Sequence, residues 1–305
     1  MKQPKFVSGP PGTGKTHLFL IDKYKELLKN YEPEKIIMLS HTNVAADELK
    51  DAVLDLPEMK ERGLRKKFFK YKICTIHAFC KSKLLKKELI TYADYLNLCA
   101  ENSGFKAQRV TQSEFDNDKH KFFKFLSDSF GQGRTIREHW NSLRETSSNY
   151  YPYNNFRMIY EMKEVYDNYK KVNQVCDYND MIKDFIDHAV VPDIDVLIVD
   201  EAQDSNVPQI KALEKMSTNV KEYYMVGDAD QTIFEFAGAN ADYFHKLSKD
   251  AEQLEDGLRC GETINKLCKE IIRPIWDHYE YERIWKPAKN VIGTHYYLPS
   301  LTTDC

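Results

Sequence analysis

The sequence predicts a doubly wound α/β domain with a helical subdomain inserted in it. Three observations carry that expectation. Short apolar runs alternate with helical patterns near the N-terminus, the mark of a parallel sheet covered by helices. A glycine-rich loop joins the first apolar run to the first helical pattern. Between His77 and Pro192, over a hundred residues contain no run that reads as a strand.

The elements follow in order. Lys5–Ser8, Lys35–Ser40, Tyr71–Thr75, Asp195–Asp200 and Tyr223–Gly227 read as buried strands. Each is rich in Val, Ile, Leu, Met or an aromatic and ends in a polar or glycine-containing turn. Helical patterns follow the first two, over Lys15–Leu28 and Asn43–Leu54. The strandless interval contains helical stretches such as Asp118–Phe130 and Phe156–Val172, with a loop at Asn149–Asn155. No internal repeat is visible.

Composition narrows the classes. A chain of 305 residues suits about two domains. Its 44 basic and 47 acidic residues give a net charge of −3, which excludes a uniformly basic nucleic-acid coat protein but not a local basic face. Seven cysteines, an odd number with no Cys-x-x-Cys pair, argue against a zinc site, an iron–sulfur cluster or a disulfide framework. They read as reduced thiols filling core space. No apolar run approaches the roughly 20 residues of a membrane span. Met1–Lys5 is followed by no leader-like apolar region, so a cytoplasmic protein is expected.

Gly9-Pro10-Pro11-Gly12-Thr13-Gly14-Lys15-Thr16 fits the phosphate-loop pattern G-x-x-x-x-G-K-[ST], between an expected strand and an expected helix. Its glycines let backbone N–H groups converge on phosphate oxygens. The helix N-terminus points partial positive charge at the same anion. Lys15 supplies a point charge for the β- and γ-phosphates, and the Thr16 hydroxyl suits Mg²⁺. In Leu197–Asp204, two acids follow an apolar strand, at the end where such sheets bind ligands. Asp200 suits Mg²⁺, and Glu201 suits orienting and deprotonating an attacking water. Alone, that pair would equally cap a helix; beside a phosphate loop it reads as chemistry.

Lys60–Lys87 holds eleven basic residues against Glu61 alone, a net +10, with Phe68, Phe69 and Tyr71 interleaved. Such a block, with Arg65, Lys66 and Lys67 in it, fits a phosphate backbone; charge runs are usually solvated faces, but this one flanks Thr75–Cys80, which favours nucleic-acid contact.

These strings together resemble the UvrD/Rep-type superfamily 1 DNA helicases. The phosphate loop and Val199–Asp204 are similar to motifs I and II. Leu39–Leu49 resembles motif Ia, and Thr75-Ile76-His77-Ala78-Phe79-Cys80 the "TxHxF" segment after it. Asp177–Ile182 resembles the "DFxDLL" element. Val226–Ala239 resembles motif III, and Gly257-Leu258-Arg259-Cys260 stands where motif IV belongs. The resemblance runs over about residues 5–265. It implies a P-loop NTPase with a RecA-like parallel sheet over 1–80 and 190–290, a helical insert over 81–189, and the start of a second RecA-like domain over 291–305.

It also implies roles. Gln231 would couple the γ-phosphate to DNA, and Arg259 would act as an arginine finger. His41, Thr42, Asn43 and His77 would lie on the DNA path with the basic block. Phe234 and Phe236 would stack on bases, although core packing would also suit phenylalanine. ATP and Mg²⁺ are the implied cofactors, single-stranded DNA the partner. The missing second domain would come from a further region or a second chain. There are departures. Eight residues precede Gly9, too few for the family's adenine-reading glutamine motif. Leu258 stands where the family has a stacking tyrosine, Ala237 replaces an arginine and His41 a phenylalanine. Weak discrimination between ATP and GTP follows. Two functions fit: an ATP-driven translocase or helicase half, or a nucleotide-gated binding module that hydrolyses little and does not unwind.

Overall fold

The computed structural model describes residues 2–83, 87–106, 110–116, 120–146, 155–233, 235, 238–289 and 291. Phe234, Phe236, most of the loop at 149–155 and the expected strand Gly293–Leu298 lie outside the described residues.

In chain order the strands are β1 (Lys5–Ser8), β2 (Ile36–Ser40), β3 (Ile73–Thr75), β4 (Glu88–Leu89), β5 (Val175–Cys176), β6 (Val196–Val199), β7 (Glu222–Gly227) and β8 (Glu252–Gln253). Among the described residues, six form one parallel sheet in the order β3-β2-β6-β7-β1-β8. All five expected strands are present in it. β8 was not expected, because Glu252 and Gln253 carry no apolar signal. It is held to the sheet edge by backbone pairing, Val7 with Glu252 and Ser8 with Gln253.

Alternate residues of each strand feed two cores, as the two-residue period of a strand requires. Phe6, Ile37, Leu39, Leu197, Val199, Tyr223 and Met225 face one side, under the helices Ile76–Ser82, Tyr178–His188 and Val207–Met216. Val7, Ile36, Met38, Val196, Ile198, Tyr224 and Val226 face the other, under Ile21–Leu27 and Asn43–Leu54.

The helical insert has its own core, rich in aromatics: Tyr95, Phe105, Phe122, Phe125 and Tyr166 are buried together. The expectation of an interval without strands needs one correction. β4 and β5 pair in parallel where the chain enters and leaves the insert. Two residues each are too few for a hydrophobic pattern to register.

The insert, as the segment between β4 and β5, meets the sheet domain at several places, including the packing of Lys121–Gly131 on Val207–Met216, and two contacts among them are specific. Lys170, on the insert's last long helix (Phe156–Asn173), reaches Asp177 at 2.9 Å and Asp180 at 2.8 Å. Those carboxylates also form the capping box that starts the helix Tyr178–His188. At the second contact Gly238, in a left-handed conformation (φ +98), lies against the backbone of Gly131 and Gln132, too close to admit a Cβ. Ion pairs also line a groove of about 840 Å³ at the insert, where Lys170 meets Asp167, Asp177 and Asp180.

Candidate active site and nucleic-acid face

The site is assembled from the C-terminal ends of the strands, where a parallel sheet presents its loops. β1 runs into the phosphate loop, β2 into His41, β3 into Thr75–His77, β6 into Asp200–Glu201 and β7 into Asp228–Gln231.

The phosphate loop turns on Gly12 (φ +75) and Gly14 (φ +80), conformations that only glycine adopts readily. Pro10 accepts hydrogen bonds from Thr13, at 2.8 Å from its hydroxyl and 3.3 Å from its N–H. Lys15 is buried, and its ammonium donates to the Gly9 carbonyl at 2.9 Å. The helix expected over Lys15–Leu28 is wound in two ways. Lys15–Leu20 forms a wider turn, with Phe19 N–H donating five residues back to Gly14 at 3.1 Å, and a regular helix follows over Ile21–Leu27. Wide turns of this kind cluster at functional sites. Thr16 lies on its first turn.

Asp200 is buried, and its Oδ1 accepts the N–H of Glu201 at 3.0 Å. Burial, helped by the Glu201 charge, pushes its pKa up to about 7, while Lys15 pulls it down. Glu201 has left-handed backbone angles (φ 47, ψ 45), strained for a residue with a side chain. Burial, then Glu201, also raises Asp204 to about 6, and its buried Oδ1 has no hydrogen-bond partner.

Gln203 links the two acidic loops. Its Nε2 donates to Glu201 at 3.0 Å, and its Oε1 accepts the N–H of Asp228 at 3.0 Å. Gln231 in turn donates through Nε2 to Asp228 Oδ2. Motif resemblance singled out Glu201 and Gln231 but gave Gln203 and Asp228 no role. The available signal was two polar residues inside otherwise recognised strings.

Arg259 comes to the phosphate loop through its backbone. Leu258 N–H donates to the Gly12 carbonyl at 2.8 Å, and a Cβ on Gly12 would lie 2.7 Å from that of Arg259. Leu258 is exposed and lines a cavity of about 630 Å³ with Thr13, Phe19, Asp22 and Glu255.

The candidate DNA residues fall into two groups. His41 Nε2 lies 3.1 Å from the Ser205 hydroxyl. Thr42 caps the helix Asn43–Leu54 by accepting the Ala45 N–H at 3.1 Å, and Asn43 is exposed beside it. His77 packs edge-on against Tyr178, with ring centroids 5.5 Å apart. Burial lowers both histidines to about 4, His77 adding to the effect on His41, so both are neutral at pH 7. Exposed Tyr178 and Val44 flank them, two surface apolar groups that sequence reasoning missed.

Arg65, Lys66 and Lys67 are elsewhere. They precede β3, at the opposite end of the strand from Thr75–His77. Lys66 pairs with Asp51 at 3.0 Å. Eight residues of helix, about 12 Å at 1.5 Å each, separate Asp51 from Asn43. For these three residues the expected flanking of Thr75–Cys80 therefore holds along the chain but not in space, whereas Lys81 lies on the helix Ile76–Ser82 itself and Lys83 directly follows it. Pairing also reduces the block's charge: Lys60 with Asp55, Arg62 with Glu32 and Lys87 with Asp184 are ion pairs.

A parallel sheet with a phosphate loop after β1 and an acidic pair after β6 defines the P-loop NTPase class with a RecA-like sheet. Within that class the chain belongs to the UvrD/REP helicase family, whose N-terminal domain matches residues 1–252. The chain is 26% identical over 275 residues to the ATP-dependent DNA helicase Rep of Buchnera aphidicola subsp. Baizongia pistaciae, covering 83% of this chain and 38% of that protein. It is 24% identical to a probable DNA helicase II homolog of Mycoplasma pneumoniae (90% and 41%). It is 22% identical to the ATP-dependent DNA helicase PcrA of Staphylococcus aureus (96% and 41%). The chain thus spans about two fifths of these relatives' length. No helix among the described residues is long and apolar enough to cross a membrane.

Proposed function

We propose that the chain is the ATP-binding half of an ATP-driven single-stranded DNA translocase or helicase acting in the cytoplasm. The observation that carries this reading is the continuous hydrogen-bonded path Glu201–Gln203–Asp228–Gln231 beside the phosphate loop. Gly9–Thr16 cradles the phosphates, with Lys15 against their negative charge. One hydroxyl (Thr16) and one buried carboxylate (Asp200) make a donor set suited to Mg²⁺, which prefers few protein ligands plus water and phosphate oxygens. When bound, Mg²⁺ would neutralise charge on the β- and γ-phosphates.

Glu201 orients and deprotonates the attacking water. Gln203 holds one of its carboxylate oxygens, leaving the other for that task. Gln231 faces the γ-phosphate, and Arg259 supplies positive charge as the phosphoryl group transfers. The cavity beside Leu258 receives the base, with leucine in place of the family's stacking tyrosine and Phe19 as the aromatic on its wall, and weak choice between ATP and GTP is expected. Single-stranded DNA runs over His41, Thr42, Asn43 and His77, with base stacking as the proposed role of Phe234 and Phe236, and Arg65, Lys66 and Lys67 form a separate electrostatic contact at the other end of β3.

Unwinding requires a second RecA-like domain, from a longer chain or a partner chain. The helix Glu262–Tyr279 supports this, because it leaves Ile271 and, in part, Ile275 exposed while Trp276 is buried. The test is ATP turnover with and without single-stranded DNA, beside Lys15→Ala. DNA-stimulated turnover that Lys15→Ala abolishes is expected. Nucleotide binding without turnover, or turnover indifferent to Lys15, would overturn the reading.

A further inference from the structure

We propose that Arg283 is a positioning residue for Gln231, acting through Asp228. The inference rests on the reading of Gln231 as the residue that faces the γ-phosphate.

Arg283 is only 3% exposed and belongs to no motif string. Its Nη1 donates to Asp228 Oδ1 and, at 2.6 Å, to Asp230 Oδ2; its Nη2 donates to the hydroxyl of Ser8. Ser8 ends β1 and directly precedes the phosphate loop. One guanidinium thus ties the start of that loop to the loop after β7. Burial disfavours its charge, but the two carboxylates more than offset this and raise its pKa.

Asp228 is fully buried and shared. Oδ1 accepts from Arg283 and from the N–H of Asp230 at 3.1 Å; Oδ2 accepts from Gln231. Asp230 is closed in by the Trp276 indole N–H at 2.9 Å and by His245, whose Nδ1 lies 3.8 Å from Oδ1. His245 stacks on Tyr279 at 3.7 Å and meets the Tyr281 hydroxyl at 3.0 Å. The segment after the helix Glu262–Tyr279 therefore folds back to brace the loop that carries Gln231.

The chemistry fixes which way the Gln231 amide points. A carboxylate only accepts, so the group turned toward Asp228 is the amide NH₂. The second amide N–H is then left to donate to a γ-phosphate oxygen, and the carbonyl oxygen to accept from the attacking water. Two buried carboxylates this close repel unless a cation lies between them. A guanidinium fork can bridge both and still reach Ser8, whereas the single ammonium of lysine has no such planar reach. Without Arg283, Asp228 loses its fixed orientation, and so does the amide it holds.

The test uses Arg283→Gln, Arg283→Lys, Gln231→Ala and the double variant Arg283→Gln/Gln231→Ala in the full chain. Three quantities are measured: affinity for fluorescent Mg·ADP, the ratio of affinities for AMP-PNP and ADP, and kcat and KM for ATP with single-stranded DNA. Misplacement of a reacting group by about 1 Å can cost about 100-fold. Arg283→Gln is expected to lower kcat about 10–100-fold, leave KM and ADP affinity nearly unchanged, and shift the triphosphate-to-diphosphate ratio as Gln231→Ala does. The double variant should be no worse than the worse single one, and Arg283→Lys should recover part of the loss. Unchanged kcat and ratio in Arg283→Gln, or losses that multiply in the double variant, would overturn the proposal. If Arg283→Gln does not fold, Arg283→Lys decides: a lower kcat and altered ratio with intact ADP binding support the role, and unchanged values refute it. A wild-type chain that binds both nucleotides without turnover sinks the proposed function, and the affinity ratio still judges Arg283.

Discussion

Replacing Gly238 with alanine should loosen the helical insert from the sheet domain. Gly238 has φ +98, and an added Cβ would lie 2.1 Å from the carbonyl oxygen of Gly131, 2.2 Å from its carbon and 2.6 Å from the nitrogen of Gln132. All three neighbours are backbone, so no side chain can swing away. The positive φ costs an L-residue about 1–2 kcal/mol. Forcing the two backbones apart adds about 1–3 kcal/mol, for a loss of about 2–5 kcal/mol. At roughly 2.1 cal/mol/K per residue, 305 residues unfold with about 0.6 kcal/mol/K, so Tm should fall by about 3–8 °C. Calorimetry measures this directly. Hydrogen exchange locates it, because the amides of Gln132, Gly133 and Arg134 donate to Asp128, Phe130 and Ser129 in the affected turn. A variant that melts within about 1 °C of wild type, with unchanged exchange at those amides, refutes the close packing.

Glu201→Gln should retain Mg·ATP binding and lose turnover by about 10²–10⁴-fold, since it removes the base and leaves the phosphate cradle; unchanged kcat would end its assignment as the base. Arg65, Lys66, Lys67 and Lys70 taken together to alanine should weaken single-stranded DNA binding regardless of sequence. The log–log salt slope should become shallower by about 0.7 for each phosphate no longer neutralised; an unaltered slope and affinity make the block a solvated face. His120, buried and lowered to about 4 by burial, accepts the Phe122 N–H through an unprotonated Nδ1 at 3.3 Å. The unfolded chain therefore protonates this histidine first as pH falls. Its contribution is complete above about pH 6.5 and is lost toward pH 4. His120→Asn should accordingly lose about 2 kcal/mol less than wild type between pH 7 and 5 in urea titrations; parallel losses would contradict it.

The central strands were legible because they are buried on both faces and read as unbroken apolar runs, as Val196–Val199 does. The phosphate loop and acidic pair were legible because their chemistry dictates residue type at fixed spacing. β8 was not, since Glu252 and Gln253 are placed by main-chain pairing rather than by side-chain pattern. The wide first turn at Lys15–Leu20 was hidden too, because a hydrogen bond five residues back leaves no mark on composition. The charged block shows the converse error. Lys66 and His77 are close in sequence, but a strand runs between them and carries them to opposite ends of the sheet. Arg283 shows the same limit across distance: Asp228, its buried partner, lies 55 positions away, and neither residue announces the other.

The small stem formed by β4 and β5 has a consequence for how this fold can be recombined. Leu89 and Val175 end and begin paired strands, Leu89 lying in register with Cys176. Neighbouring strands are about 5 Å apart, so the excursion leaves and rejoins the chain through nearly adjacent points. The intervening residues form a cassette whose ends are already closed, and closing a loop costs entropy that grows only slowly with its length. Cassettes of very different size could occupy this position without moving a strand of the sheet, and a glycine-rich crossover of about a dozen residues from Leu89 to Val175 could replace this one. What such an exchange would forfeit is the insert's hold on the sheet domain, through Lys170, Gly238 and the packing of Lys121–Gly131 on Val207–Met216.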